Sequence, residues 1–269
     1  MRLLISAAVM LLAATLQASA QSAVPPDVLK DLAPTGKLRA AINFGNGVLA
    51  QKGKEGEAKG ITPDLANALG KRLGVPVELV RFEAAGKVAE ALASGAVDVG
   101  FIAIEPVRAD KIEFSPPYVA IEGTYMVAKD SAMKSVADVD KPGIRIAVGL
   151  NSAYDLYLTR TLKNAALVRA TVGGGGAGID LFVKDKLDAA AGVRQPLEDY
   201  AKSHPEMRVM ADAFQEIRQA MGMPKKNGAV GQAGARYLHA FVEEMKASGF
   251  VADALKRSGQ TAVVAPPEK

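Results

Sequence analysis

Residues 60–104 read GITPDLANALGKRLGVPVELVRFEAAGKVAEALASGAVDVGFIAI, and the hydrophobic period changes along this stretch. Thr62-Pro63-Asp64 has the chemistry of a helix start: a hydroxyl for the cap, proline at the first helical position and an acid in the first turn. Leu65, Ala66, Leu69 and Leu73 then repeat at helical spacing until Gly74 stops the pattern. Val75–Phe82 alternates as a strand, Lys87–Ala93 is helical up to Gly95, and Val97–Ile104 is a mostly apolar run of the kind buried in a parallel sheet. With a strand predicted over Lys37–Phe44, the stretch completes a βαβαβ unit. The fold class is therefore α/β, with a central, mostly parallel sheet flanked by helices.

The second half restates the plan. Gly143–Val148 (GIRIAV) echoes Gly36–Ile42 (GKLRAAI), Asp155–Lys163 echoes Asp64–Leu73, and Phe182–Ala190 (FVKDKLDAA) echoes Leu92–Gly100 (LASGAVDVG). Asp64 and Asp98 lie 34 residues apart, and Asp155 and Asp188 lie 33 apart. Two such units imply two lobes. Tyr118–Lys129 reads as a strand joining them, and Ile217–Lys225 as a strand returning. The expected division puts residues 21–120 and 218–269 in one lobe and 121–217 in the other, with crossings near 119–123 and 216–219. Two crossing strands permit closure about a hinge. Residues 21–35 read as a lead-in arm, Gly231–Ser248 and Val251–Arg257 as terminal helices, and the residues from Gln260 as a loose tail.

The N-terminus is read separately. Met1-Arg2, the apolar 14 residues Leu3–Leu16 and the small residues of Ala18-Ser19-Ala20 make a signal peptide over residues 1–20, cleaved before Gln21. The apolar run is shorter than the roughly 20 residues that span a bilayer. The expected location of the mature chain is the periplasm. With no Cys, thiol catalysis, thiolate metal sites and lipid attachment at a processed cysteine are excluded. The net charge of +4 comes without basic runs interleaved with aromatics, so nucleic acid is not an expected partner. No heptad or exposed apolar stripe stands out, and a monomer is expected.

The run from Gly60 to Tyr118, with GITPDLANALGKRLGV, AEALASGAVDVGFIAI and EPVRADKIEFSPPY, resembles the family 3 extracellular solute-binding proteins of ABC importers, the polar amino-acid-binding group. The likeness runs from about Leu38 to Gly259 and includes the closing helices in Phe241–Arg257. It implies a two-lobed type II periplasmic binding protein whose closing lobes capture an amino acid or related small carboxylate and hand it to a membrane permease. No cofactor or metal is implied. At the position of Arg108 the family grips the ligand carboxylate. A guanidinium suits that task because its planar fork of donors matches a carboxylate bidentately. The alternative for Arg108 is a surface ion pair with Asp110. Phe101 and Ala103, on the strand leading to Arg108, join the candidate set. In the second lobe, Ser152 is either a carboxylate contact or the cap of the following helix, and Ala153 contributes no polar group.

The departures from the family define the rest. Val193 stands where an ammonium-binding Asp is usual, followed by Arg194 and Gln195, and Asn46 and Ala85 stand where Tyr or Trp is common. Glu122 is a candidate replacement for the missing acid, Arg194 a candidate second anion contact, and Gln219 a weaker candidate. Gly173–Gly178 formally fits a dinucleotide-binding glycine pattern, but the predicted helix after it is barely two turns, and a loop is favoured. His204 and His239 are too far apart in sequence, and too few, for a zinc site. The leading functional reading is binding without chemistry. The alternatives are a periplasmic enzyme of cyclohexadienyl-dehydratase type, with Glu122 as general acid, or a ligand sensor.

Overall fold

The computed structural model describes residues 24–171, 176–225 and 231–268. The expected signal peptide over residues 1–20, residues 173–175 of the glycine run and residues 226–230 lie outside the described residues. The first half comprises α1 (Pro26–Leu32), β1 (Leu38–Asn43), the hairpin β2 (Gln51–Lys52) and β3 (Ala58–Lys59), α2 (Ile61–Leu73), β4 (Val77–Phe82), α3 (Ala85–Ser94), β5 (Val99–Ala103), α4 (Pro106–Ala109) and the long β6 (Ile112–Ala128). After it come β7 (Arg145–Gly149), α5 (Ala153–Thr161), β8 (Ala166–Ala170), α6 (Ala177–Lys184), β9 (Ala189–Val193) and α7 (Arg194–Ser203). The chain ends with β10 (Met207–Val209), β11 (Gln215–Pro224), α8 (Gln232–Ala247), α9 (Phe250–Arg257) and β12 (Val263–Val264).

The strand order β4-β1-β5-β11-β6-β9-β7-β8 reads the same way from either edge: second, first and third strand of a βαβαβ unit, then a crossing strand. Within each half the three strands are parallel. The two crossing strands are antiparallel to each other and to the third strands. Apolar side chains on both faces of each half-sheet form separate cores: Leu38, Leu65, Phe101 and Phe241 in one, Val88, Leu92 and Ile102 behind it, and two counterparts centred on Ile146 and Phe182 in the second lobe. The echoed Asp residues are equivalent. Asp98 accepts from the backbone N–H and the side chain of Arg39, and Asp188 accepts from the backbone N–H of Arg145 and pairs with its side chain.

The FSPPY run explains an irregularity in the crossing strands. Pro116 and Pro117 have no N–H to give, and the β6–β11 register shifts at Gln219–Gly222. Ser115 repairs the ladder there, its Oγ accepting from Met221 N at 3.1 Å.

Several local expectations are corrected. The second helix begins at Ile61, with Gly60 before it, and the Thr62 hydroxyl donates to Leu49 O instead of capping. Gly74 and Gly95 do end their helices, in the left-handed conformation that glycine tolerates best. The lead-in arm contains a helix, and Asp31 after its midpoint accepts from Gly234 N at 2.9 Å near the start of α8. The C-terminal tail is not loose. Val263 and Val264 add an edge strand to β6 opposite Ala120 and Val119, Ala265 N donates to Tyr118 O, and buried Lys246 donates to Pro266 O at 2.9 Å. A short β-branched run suffices because β6 offers an open edge beside it.

Candidate functional site

The carboxyl ends of both sets of parallel strands face one cleft of about 570 Å³, the position where open α/β sheets place ligands. The first lobe supplies residues 43–47 after β1, residues 84–87 at the start of α3, Ala103 and Arg108. The second lobe supplies residues 149–154 after β7, residues 176–179 at the start of α6, and Val193 with Gln195. Ile217 and Gln219 of β11 and Gln260 of the tail close the hinge side.

Arg108 is only 5% exposed. The single turn of α4, opened by Pro106, swings it back under the end of β5. Its Nη1 donates to Ala103 O and its Nη2 to Asn151 O, both at 2.9 Å. The second bond crosses the cleft between lobes. The predicted alternative, a surface pair with Asp110, is not what forms. Burial pushes the guanidinium down to about 10, with Glu105 opposing, so it stays charged near neutral pH. A guanidinium has five N–H donors, and the two bonds leave donors over.

The other buried charges are matched. Asp98 has Arg39 at 2.6 Å, Glu105 has Arg160 at 2.6 Å, Asp155 has Arg169 at 2.9 Å, and Lys246 has Glu243 at 2.7 Å. Among the described residues, Arg108 is the buried charge with no opposite partner. An isolated buried charge is costly, and this one sits on the wall of a cavity.

The remaining candidates separate into two groups. Asn46, Ala85, Ala103, Ser152, Ala153, Val193 and Gln219 line the cleft with Arg108. Ser152 also caps α5, its Oγ accepting from Asp155 N at 3.0 Å. Gln219 is 5% exposed, and its side chain has no hydrogen-bond partner among the described residues. Phe101 does not line the cleft. One turn of the strand back from Ala103, its ring fills the first-lobe core edge-on to Tyr118. Glu122 and Arg194 are also outside the lining, because each satisfies the other on the outer side. Arg194 Nε donates to Glu122 at 2.5 Å, and its other nitrogens donate to the carbonyls of Met210, Ala211 and Asp212. That arginine staples a turn, and the candidate acid and second anion contact are both removed.

Sequence reasoning missed Phe44, Tyr154 and Gln260. Phe44 and Tyr154 each adjoin a segment already singled out, and both are aromatics on a cleft expected to lack them. Burial raises the Tyr154 hydroxyl above its ordinary range. Gln260 was hidden by the reading of the tail as loose.

Closure leaves little room at one point. A Cβ on Gly86 would sit 2.8 Å from Asn151 Cβ across the cleft. Gly86→Ala is therefore expected to oppose closure, weakening ligand binding by about 1–2 kcal/mol, roughly 5–30-fold. The thermal midpoint of the ligand-free protein should change little, because parting the lobes relieves the clash. Calorimetry and small-angle scattering check this; unchanged affinity would mean that the two loops separate without cost.

Residues 49–260 match the sequence model of the family described as bacterial extracellular solute-binding proteins, family 3. No curated protein matches the chain. Among solved structures, a variant of ArgBP from T. maritima superposes with a TM-score of 0.71 at 18% identity, covering 86% of this chain and 99% of that one. The cysteine-binding protein from Campylobacter jejuni gives 0.72 at 18% identity, covering 86% and 92%. The ancestral amino acid-binding protein AncCDT-1, described as a precursor of cyclohexadienyl dehydratase, gives 0.69 at 25% identity, covering 85% and 98%.

Proposed function

The chain belongs to the bacterial extracellular solute-binding proteins, family 3, and from that premise we propose that it is the periplasmic, monomeric binding component of an ABC importer for a small carboxylate, an amino acid or a relative. The lobes divide near residues 120 and 217, where β6 and β11 run side by side. Ligand enters the open cleft, its carboxylate takes the spare donors of Arg108, and the closed form presents both lobes to the permease. The observation that carries this reading is the unmatched buried charge of Arg108 on the cleft wall. Closure is driven by the difference in ligand affinity between open and closed forms.

The enzyme alternative rests on Glu122 as an acid, and Glu122 lies outside the cleft in a pair with Arg194. Binding without chemistry is the reading we adopt. Native mass spectrometry of freshly purified protein, followed by denaturation, is expected to release a carboxylate-bearing small molecule. Thermal shift should show larger stabilisation by neutral or acidic carboxylates than by lysine or arginine, since a cationic side chain would be buried beside Arg108. Preferential stabilisation by lysine would overturn that part of the reading.

A further inference from the structure

We infer that the ligand carries no free ammonium: it is a hydroxy acid, an oxo acid or an N-acylated amino acid whose remaining polar groups are uncharged. This deepens the carboxylate reading of Arg108 and rests on it.

Residues 1–23, 172–175, 226–230 and 269 contain no Asp or Glu, so every acid of the chain lies among the described residues. Three of them line the cleft, Glu83, Glu90 and Asp199. All three side chains are more than half exposed and each is already paired with a lysine, Lys52, Lys87 or Lys202, at 2.6–2.8 Å. The fully buried acids are Asp98, Glu105 and Asp155. None of them lines the cleft, and each holds its own arginine. The deep part of the cleft therefore has one charge, the guanidinium of Arg108.

That charge sets the class of guest. A monoanion neutralises that guanidinium. A zwitterion leaves a net positive charge, with its ammonium desolvated near the guanidinium and no carboxylate to receive it, which is the costly arrangement for a buried ion. The polar groups that remain are neutral. Gln219 stands opposite Ala103 in the β11–β5 pairing, and Ala103 is the residue whose carbonyl takes Arg108 Nη1. Its carboxamide has no hydrogen-bond partner among the described residues and keeps contact with the cleft. Gln260 donates through Nε2 to Ser258 O, which leaves its Oε1 buried and unpartnered in the same cleft. A carboxamide oxygen calls for an O–H or N–H donor, and its NH₂ can serve a carbonyl. Hydroxyl, oxo and amide groups meet those demands without adding charge.

The test is calorimetry near neutral pH with leucine, phenylalanine and glutamine, each beside its 2-hydroxy, 2-oxo and N-acetyl counterparts. In the wild-type protein an ammonium-free member is expected to bind at least about tenfold more tightly than its parent amino acid. Gln219→Glu, which puts a carboxylate where the cleft has an amide, should move that ratio about tenfold back toward the amino acid. A parent amino acid that binds as tightly as its counterparts overturns the inference, and so does a ratio unmoved by Gln219→Glu. The clamp is read separately in Arg108→Ala: loss of binding there keeps the carboxylate reading even when the ammonium inference fails. Retained binding in that variant, or no binding of any compound to wild type, removes both.

Discussion

Arg108→Ala is expected to lose at least roughly 30-fold in affinity for the carboxylate that stabilises the wild-type protein most. Truncating one partner of a desolvated charge pair costs about 2–5 kcal/mol, much of it from the carboxylate left unpaired, and about 1.4 kcal/mol is a decade. The fold should persist. The side chain is not packed in either lobe core, and the two carbonyls it releases, of Ala103 and Asn151, belong to residues that line the cleft, where water can reach them. Arg108→Lys should recover only part of the loss, because an ammonium cannot reproduce the fork. Arg194→Ala is the control: its guanidinium is spent on Glu122 and three carbonyls outside the cleft, so affinity should hold. Titration calorimetry with circular dichroism reads all three variants. A folded Arg108→Ala protein that binds within about threefold of wild type would show the clamp assignment to be wrong.

The second large effect concerns stability. Asp98→Ala should destabilise the protein by about 1–3 kcal/mol, because it removes the buried acceptor of the Arg39 backbone N–H, while the partly exposed Arg39 guanidinium keeps the carbonyls of Gly95 and Ala96. Asp188→Ala, its counterpart in the other lobe, should cost only about 0–1 kcal/mol. The side chain of Asp188 is 36% exposed against 3% for Asp98, and solvent screens the weaker pair. Urea denaturation of the two variants in parallel makes the comparison. Equal costs would mean that the equivalence of the two positions extends from geometry to energy.

The fold was legible because its signals are local and occur twice. Apolar period, helix-stopping glycines and the Asp spacing each report on neighbours in sequence, and the repeat let one half check the other. The lining of the cleft was legible where a residue's place near a strand end decided it, as for Arg108, Ala103 and Ser152. It was not legible where lining depends on depth along a strand or on a distant partner. Phe101, two residues before Ala103, shares its face of β5, but one step back from the strand end its ring fills the core. Glu122 and Arg194 were weighed separately, each as a cleft contact or a solvated surface residue, when the contact available to each was the other. That pairing joins residues 72 positions apart, a separation that no local pattern encodes. The tail was misread for a related reason: its apolar run is too short to register as a strand until the open edge of β6 is beside it.

That tail has a practical consequence. Val263 and Val264 are zipped to β6 and Thr261 donates to Gln195 of the other lobe at 3.3 Å, while past them Pro266 and Glu268 are held by Lys246 and Glu243 of α8. A purification tag or fluorescent domain fused after residue 268 would therefore hang from α8 and travel with the first lobe, so it would report a swing only against a second label carried by the other lobe.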